Sequence, residues 1–94
     1  MKIIWRPMAE ADRENIFDYI AKDNPRAALA LDEEFSVKIE MAAQHPALYK
    51  PGRVPGTREI VVRPNYIMVY RMEDSGDTLV VLRVLPAAQN WPAW

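Results

Sequence analysis

The sequence predicts one α+β domain over residues 1–94, with a helical hairpin packed on one face of a mostly antiparallel four-stranded sheet. Three observations carry this prediction. A short β-type run opens the chain, two amphipathic stretches joined by a proline-containing turn follow, and three β-type runs with short turn-like connections come last. The predicted element order is therefore β-α-α-β-β-β.

The first strand and the first helix are separated by a proline. The run KIIW, Lys2–Trp5, has β-type composition, and Pro7 ends it because proline cannot donate to a sheet ladder. From about Met8 to Lys22 the apolar spacing becomes helical. The apolar stripe of this helix consists of Ala9, Ile16, Phe17 and Ile20.

The start of the second helix is marked twice. Asn24 is a good N-cap, and Pro25 suits the first helical position while it biases Asn24 away from helical angles. The spacing predicts a helix over Pro25–Gln44, which makes an αα-hairpin with the first helix. The predicted core stripe of this second helix is Ala28, Leu31, Phe35, Ile39 and Ala42.

The last three strands follow a loop, HPALYKPGRVPG (45–56), whose three prolines and two glycines exclude regular structure. The β-type runs are Thr57–Val62, Tyr66–Arg71 and Thr78–Leu85. The last two runs alternate between two faces, as in a sheet with one face on helices and one face partly open. The alternating sets are Tyr66, Met68 and Tyr70 against Ile67, Val69 and Arg71, and then Val80, Leu82 and Val84 against Leu79, Val81, Arg83 and Leu85.

Composition excludes several classes of protein. The chain has no cysteine, so it can form neither a disulfide nor a thiolate metal site, which fits a reducing cytosol. No apolar run approaches the roughly 20 residues of a membrane helix, and no signal peptide opens the chain. We therefore expect a cytoplasmic protein without membrane contact.

The net charge of −1 hides an asymmetry. Residues 1–45 carry a net charge of −3 and residues 46–94 one of +2, with five arginines among the six basic residues of the second half. Solvated charges on a strand face are the usual case, but arginines beside aromatic rings also hold single-stranded RNA or an acidic protein. The candidates for such a surface are Arg58, Arg63, Tyr66, Tyr70, Arg83 and Trp91.

No familiar catalytic or metal-binding pattern occurs in the sequence. The one histidine, His45, stands before a proline at the end of the second helix, where capping or exposure is the expected role. Ser36 and Ser75 have no histidine base in a suggestive setting, and one histidine without cysteine makes a transition-metal site unexpected. No glycine-rich phosphate loop is present, so we expect no cofactor.

Four segments of the second half, taken in order, resemble one family. They are GTREIVV (56–62), NYIMVYR (65–71), VLRVL (81–85) and AAQNWP (87–92). Together they resemble the RelE/ParE superfamily, the toxins of type II toxin–antitoxin pairs. YIAKDNPRAA (19–28) and HPALY (45–49) resemble its ParE-like branch. The resemblance covers nearly the whole chain and implies the β-α-α-β-β-β fold.

The resemblance implies one of two activities, each held inactive by an antitoxin segment that wraps over the toxin. RelE-like members enter the ribosome and cut mRNA with basic residues and a tyrosine or histidine. The residues here that match such a role are Arg58, Arg63, Tyr66 and Arg83. ParE-like members act on DNA gyrase and are not thought to cut anything themselves.

The strand NYIMVY favours the gyrase branch. In ribosome-dependent relatives the corresponding strand carries an arginine tied to catalysis, and here that position is Ile67. Isoleucine cannot stabilise the charge of a phosphate in a transition state. We therefore predict a ParE-like toxin. The alternatives are a ribosome-dependent mRNA endoribonuclease and an attenuated member that keeps only antitoxin binding.

Pro86 departs from the family ending. Many relatives have a histidine at this position, and proline removes both that titrating side chain and a backbone donor. We expect the last strand to end at Leu85 and the proline to redirect the segment 87–91, at a small cost in stability. Pro86 is thus predicted to weaken toxicity. The predicted effector surface is Arg83, Pro86, Gln89 and Trp91.

Overall fold

The structure, a computed structural model, describes residues 1–89 and Trp91. It has the predicted element order. The elements are strand β1 (Lys2–Trp5), helices α1 (Pro7–Ala21) and α2 (Pro25–Gln44), and strands β2 (Arg58–Val62), β3 (Tyr66–Glu73) and β4 (Thr78–Pro86). Neither helix of this part of the chain is long and apolar enough to cross a membrane.

Both helices of the hairpin begin on a proline, whose missing N–H costs nothing at a first helical position. The side-chain oxygen of Asn24 accepts the N–H of Ala27 at 3.1 Å, which is the predicted cap of α2. α2 has the predicted bounds, and α1 ends at Ala21, one residue before the expected end. The helical hairpin is therefore confirmed.

The four strands form one sheet in the order β1-β4-β3-β2. β3 pairs antiparallel with β2 and β4, whereas β1 pairs parallel with β4, so the sheet is mixed. β1 pairs only with Thr78–Val81, the first four of the nine residues of β4. Among the described strands, none pairs with the outer edge of β4 from Leu82 onward.

The main core lies between the helices and one face of the sheet. The predicted stripe of α2 is confirmed, since each of its five residues is at most 2% exposed. The predicted alternation of β3 is confirmed as well, because Met68 and Tyr70 face the helices while Ile67 and Val69 face the other side. α1 contributes less, since only Ala9 of its predicted stripe is fully buried.

The predicted alternation of β4 holds through Leu82 and is wrong from Arg83 onward. The pairing of β4 with β3 skips Leu82, which makes it the extra residue of a β-bulge. Val81 faces the helices before the bulge and Val84 faces them after it, so the two faces exchange. Leu82 and Arg83, neighbours in sequence, therefore both reach the open face, where the Arg83 guanidinium lies 6.0 Å from the centre of the Trp91 ring.

Candidate functional site

The free edge of β4 explains why a proline is tolerated at position 86. Pro86 pairs with Tyr66 as the last residue of β4, and the next N–H, from Ala87, donates to Asn65 O at 2.7 Å. This bond shows that Pro86 and Tyr66 form a non-hydrogen-bonded pair, in which the nitrogen at position 86 points away from β3. The missing N–H therefore breaks no ladder bond.

This geometry corrects two expectations about the end of the chain. The last strand continues through Pro86 instead of ending at Leu85, and one more ladder bond follows it. The segment after Pro86 is thus not redirected by a lost donor. Of the resembling ending AAQNWP, Asn90 and Pro92 lie outside the described residues.

A carboxylate of α1 binds to the same edge of β4. Asp12 Oδ2 accepts the N–H of Val84 at 2.9 Å, and the two carboxylate oxygens accept the Arg83 guanidinium at 2.7 and 3.0 Å. The hydrogen bond to Asp12 raises the pKa of Arg83, so this guanidinium stays charged and held in place. Asp12 and Pro86 together leave few backbone donors on this edge for another strand to pair with.

Three of the four predicted effector residues line one groove between α1 and β4. Arg83, Pro86 and Gln89 line it together with Tyr66, and its volume is roughly 500 Å³. The Tyr66 ring is also held in the core, edge-on to Phe35 with ring centres 6.0 Å apart. The groove thus combines a fixed aromatic ring with a guanidinium whose charge is already matched by Asp12.

The fourth predicted effector residue, Trp91, lies on the open face of the sheet. It packs there on a second apolar cluster. Its carbonyl accepts a bond from the Arg53 guanidinium at 3.4 Å, and its indole N–H is buried without an acceptor among the described residues. The cluster is built from Ile67, Val69 and Leu85, with Leu82, Ala87 and Trp91 against it.

Ile67 belongs to this second cluster and is only 4% exposed. Its position is the one at which the family resemblance places a catalytic arginine in ribosome-dependent relatives. Here the surrounding side chains are apolar and Trp91 covers part of the cluster. The position at which the resemblance would place a charged group therefore lies in a small apolar core in this protein.

The structure does not bring the other two candidate arginines to the groove. Arg58 donates to the carbonyl of Tyr49, close to Tyr70, whose hydroxyl donates to Pro46 O at 2.9 Å. Burial raises the pKa of Tyr70 although the nearby Arg58 opposes this, so the hydroxyl remains a donor. Tyr70 is a core residue with no exposed surface.

Arg63 lies in the turn between β2 and β3 with a positive φ of 52°. Its Nε donates to Glu34 of α2 at 3.0 Å. Of the four residues that a nuclease role would call on, only Tyr66 and Arg83 therefore share a groove.

His45 follows α2, and its backbone N–H donates to Met41 O at 3.0 Å. Among the described residues, no group of three or more histidine, cysteine, aspartate or glutamate side chains could hold a metal ion.

Sequence patterns missed a cationic cluster on the open face. Arg71 of β3 and Arg6, which precedes α1, both approach Glu73. The alternation of β3 groups Arg71 with Ile67 and Val69, but Arg6 is isolated in sequence between Trp5 and Pro7. No local signal links it to β3, because the contact depends on β1 ending beside Val81 of β4.

A family model described as the ParE toxin of type II toxin–antitoxin system, parDE, matches residues 3–91. The chain belongs to this family. It is a toxin of the RelE/ParE superfamily, as the ordered motifs of the sequence indicated, and its described fold agrees with that assignment.

Relatives in sequence and in structure agree with the ParE family. Over 92 residues the chain is 34% identical to Y4kP of Sinorhizobium fredii, named as a candidate toxin, with 97% of this chain and 93% of that protein covered. One chain in the structure of the chromosomal ParDE toxin–antitoxin system of P. aeruginosa has the same fold, with a TM-score of 0.80 and 22% sequence identity. The match covers 92% of this chain and 95% of that chain.

One chain of the E. coli RelBE toxin–antitoxin complex also shares the fold. Its TM-score is 0.68 at 16% identity, with 94% of this chain and 98% of that chain covered. Both superfamily branches therefore fold alike, and the choice between their activities depends on the side chains of the site.

Proposed function

We propose that this protein is a ParE-like toxin that inhibits growth through DNA gyrase in the cytoplasm and is neutralised by a cognate antitoxin. The observation that carries the proposal is Ile67, which lies buried in an apolar cluster at the position of a catalytic arginine in ribosome-dependent relatives. An uncharged, dry position offers no stabilisation to a scissile phosphate.

The alternative is a RelE-like, ribosome-dependent mRNA endoribonuclease. It would have to work with Tyr66 and Arg83, the two candidate residues that share the α1–β4 groove. Arg83 is already matched in charge by Asp12 in a two-bond pair, and Arg58 and Arg63 have acceptors elsewhere. Metal-free cleavage needs a group to take a proton and a cation for the phosphate, so this set supports the nuclease less well.

Support for an antitoxin partner comes from the structural relatives. The P. aeruginosa structure is a ParDE toxin–antitoxin system, and the E. coli structure is an intact RelBE toxin–antitoxin complex. A small protein encoded beside this one is therefore the expected partner. A mostly disordered segment of it would fold over the toxin on binding.

Expression in cells tests the proposed target. Under a tightly repressed promoter, induction should produce filamentation and DNA-damage signalling, because gyrase trapped on DNA leaves breaks. Rapid arrest of translation with cut mRNAs would instead support the endoribonuclease. A chain without any growth phenotype that still binds the antitoxin would be an attenuated member of the family.

Pro86 is the residue we propose to weaken toxicity. It lines the α1–β4 groove beside Tyr66 and Arg83, where a histidine would add a titrating donor and acceptor. The change Pro86→His should leave the fold intact, because no ladder bond depends on position 86. Contrary to the small cost expected of the proline, its replacement should lower the free energy of unfolding by about 1 kcal/mol or less, because the unfolded chain gains conformational freedom.

The Pro86→His protein should arrest growth more strongly than the parent, and co-expressed antitoxin should restore growth. Colony counts after induction, with and without antitoxin, measure both effects. Equal growth inhibition by the two proteins would make Pro86 an ordinary variation at a strand end.

A further inference from the structure

The open face of the sheet carries a second pocket, which two of the predicted effector residues, Arg83 and Trp91, help to line. We call it the arginine pocket and define it by Arg6, Arg71, Arg83, Met8, Leu82 and Trp91. Its volume is roughly 490 Å³, enough for one or two side chains of a partner. Its lining combines three guanidinium groups with apolar side chains.

The positive charge of the pocket is only partly matched. Both Nε and Nη2 of Arg71 lie 2.6 Å from Glu73 Oε2, and Nη2 of Arg6 lies 3.9 Å from the same oxygen. Two guanidinium groups therefore share one carboxylate, while Arg83 has Asp12 to itself. The side chains of Arg6 and Arg71 are 49% and 40% exposed. Among the described residues one positive charge is therefore left in excess, with donors that solvent and a partner can reach.

The apolar part of the pocket exists because of the bulge in β4. Leu82 and Trp91 line it together with Met8, which is 58% exposed. Without the bulge, Leu82 and Arg83 would point to opposite faces, and cation and apolar surface would be separated. The bulge therefore sets an apolar surface next to the guanidinium groups.

We propose that this pocket docks an extended segment of the antitoxin that carries an acidic side chain and a large apolar side chain two residues apart. The carboxylate binds between Arg6 and Arg71, where it balances the excess charge. The apolar side chain lies on Leu82 and Trp91. In an extended chain, residues two apart point the same way about 7 Å apart, which suits a pocket of this size. The inference rests on the antitoxin part of the proposed function.

A nucleic-acid strand fits the pocket less well. Each further nucleotide brings another phosphate, and affinity for a strand depends on several cations along it. The excess here is a single charge, and the neighbouring surface of Met8 and Leu82 is aliphatic. A peptide with one carboxylate and one apolar side chain matches both features.

A small probe tests the chemistry of the pocket directly. The probe is the acetylated and amidated peptide Gly-Glu-Gly-Leu-Gly, titrated into isotope-labelled full-length protein and followed by NMR at the Trp91 indole and at the arginine Nε–H groups. We expect saturable shifts at Trp91, Arg6 and Arg71. The same peptide with lysine in place of glutamate should bind about tenfold more weakly or not at all.

Matched variants locate the effect. Arg71→Gln should weaken binding of the peptide about tenfold. Arg63→Gln is the control, because Arg63 is similarly exposed at 45% and also bonded to one glutamate, but lies in the β2–β3 turn. No saturable shift, equal binding of the lysine peptide, or tighter binding of a thymidine trinucleotide would each overturn the proposal.

The antitoxin itself provides the second arm. The product of the neighbouring reading frame is co-expressed with the wild-type chain, the Arg6→Gln/Arg71→Gln double variant and the Arg63→Gln control, and the affinity of each purified pair is measured. The double variant should lose about tenfold or more in affinity and its sensitivity to neutralisation, while its growth inhibition and melting temperature stay unchanged. Failure of wild type to bind would contradict the proposed antitoxin. Equal binding of wild type and double variant would overturn this inference alone.

Discussion

Replacing Asp12 with alanine should lower the free energy of unfolding by about 2–3 kcal/mol. The carboxylate accepts the Val84 N–H and both bonds of Arg83, and its side chain is 15% exposed against 22% for Arg83. Its loss leaves both the Val84 N–H and the poorly solvated Arg83 guanidinium without their acceptor. Urea unfolding followed by circular dichroism measures the change.

The control for Asp12 is Asp18→Ala on the exposed side of the same helix. That change should cost about 0.5 kcal/mol or less, as is usual for surface substitutions. The Asp12 variant should also open the free edge of β4 and promote self-association, because Val84 then offers an unpaired donor. A cost below about 1 kcal/mol for Asp12→Ala would mean that the pair is not what holds α1 to β4.

The second large effect is expected at Ile67. Ile67→Arg places a charge in the apolar cluster beneath Trp91, and it should destabilise the fold by about 3 kcal/mol or more. The variant carries an arginine where the resemblance places one in ribosome-dependent relatives. It should nevertheless not gain mRNA cleavage, because the side chains around position 67 are apolar and Arg58 and Arg63 bind acceptors elsewhere. Thermal unfolding and a cleavage assay on programmed ribosomes measure the two outcomes.

Ile67→Val serves as the matched control, because it removes one methylene without adding charge. It should cost about 1 kcal/mol. If Ile67→Arg folds as stably as the parent, the cluster under Trp91 is not a closed core. If Ile67→Arg cuts mRNA, the protein retains a latent nuclease site and the gyrase assignment weakens.

Local chemistry made the helices predictable. Asn24 and Pro25 define the start of α2 with two independent signals, and the five-residue stripe of Phe35 and its neighbours has a period that only a helix can bury. The strands were predictable for the same reason, since β3 alternates without interruption. Periodicity recovers structure where the backbone repeats regularly.

Periodicity failed where the backbone is irregular. Nothing in VLRVL marks the bulge at Leu82, because no glycine or proline interrupts the run, and one skipped residue exchanged the two faces of the strand. The prediction at Pro86 failed in a similar way, since a proline was expected to end the strand before it. Its tolerance depends on the direction of one N–H, which only the pairing with β3 defines.

The candidate site was only partly predictable because its charges are paired over long distances. Arg83 and Asp12 are 71 residues apart in sequence, and Arg63 and Glu34 are 29 apart. A sequence pattern shows that an arginine is present but not which carboxylate it meets. The predicted set therefore combined Tyr66 and Arg83, which share a groove, with Arg58 and Arg63. Those two arginines bind a carbonyl and a carboxylate outside the groove.

We propose that this ParE-family toxin acts on gyrase and does not cut RNA. The most direct test gives purified parent and Pro86→His proteins to DNA gyrase with relaxed plasmid and, separately, to programmed ribosomes. We expect loss of supercoiling or accumulation of cleaved plasmid, strongest for Pro86→His, with the mRNA left intact. Codon-dependent cuts in the mRNA while gyrase remains fully active would contradict it.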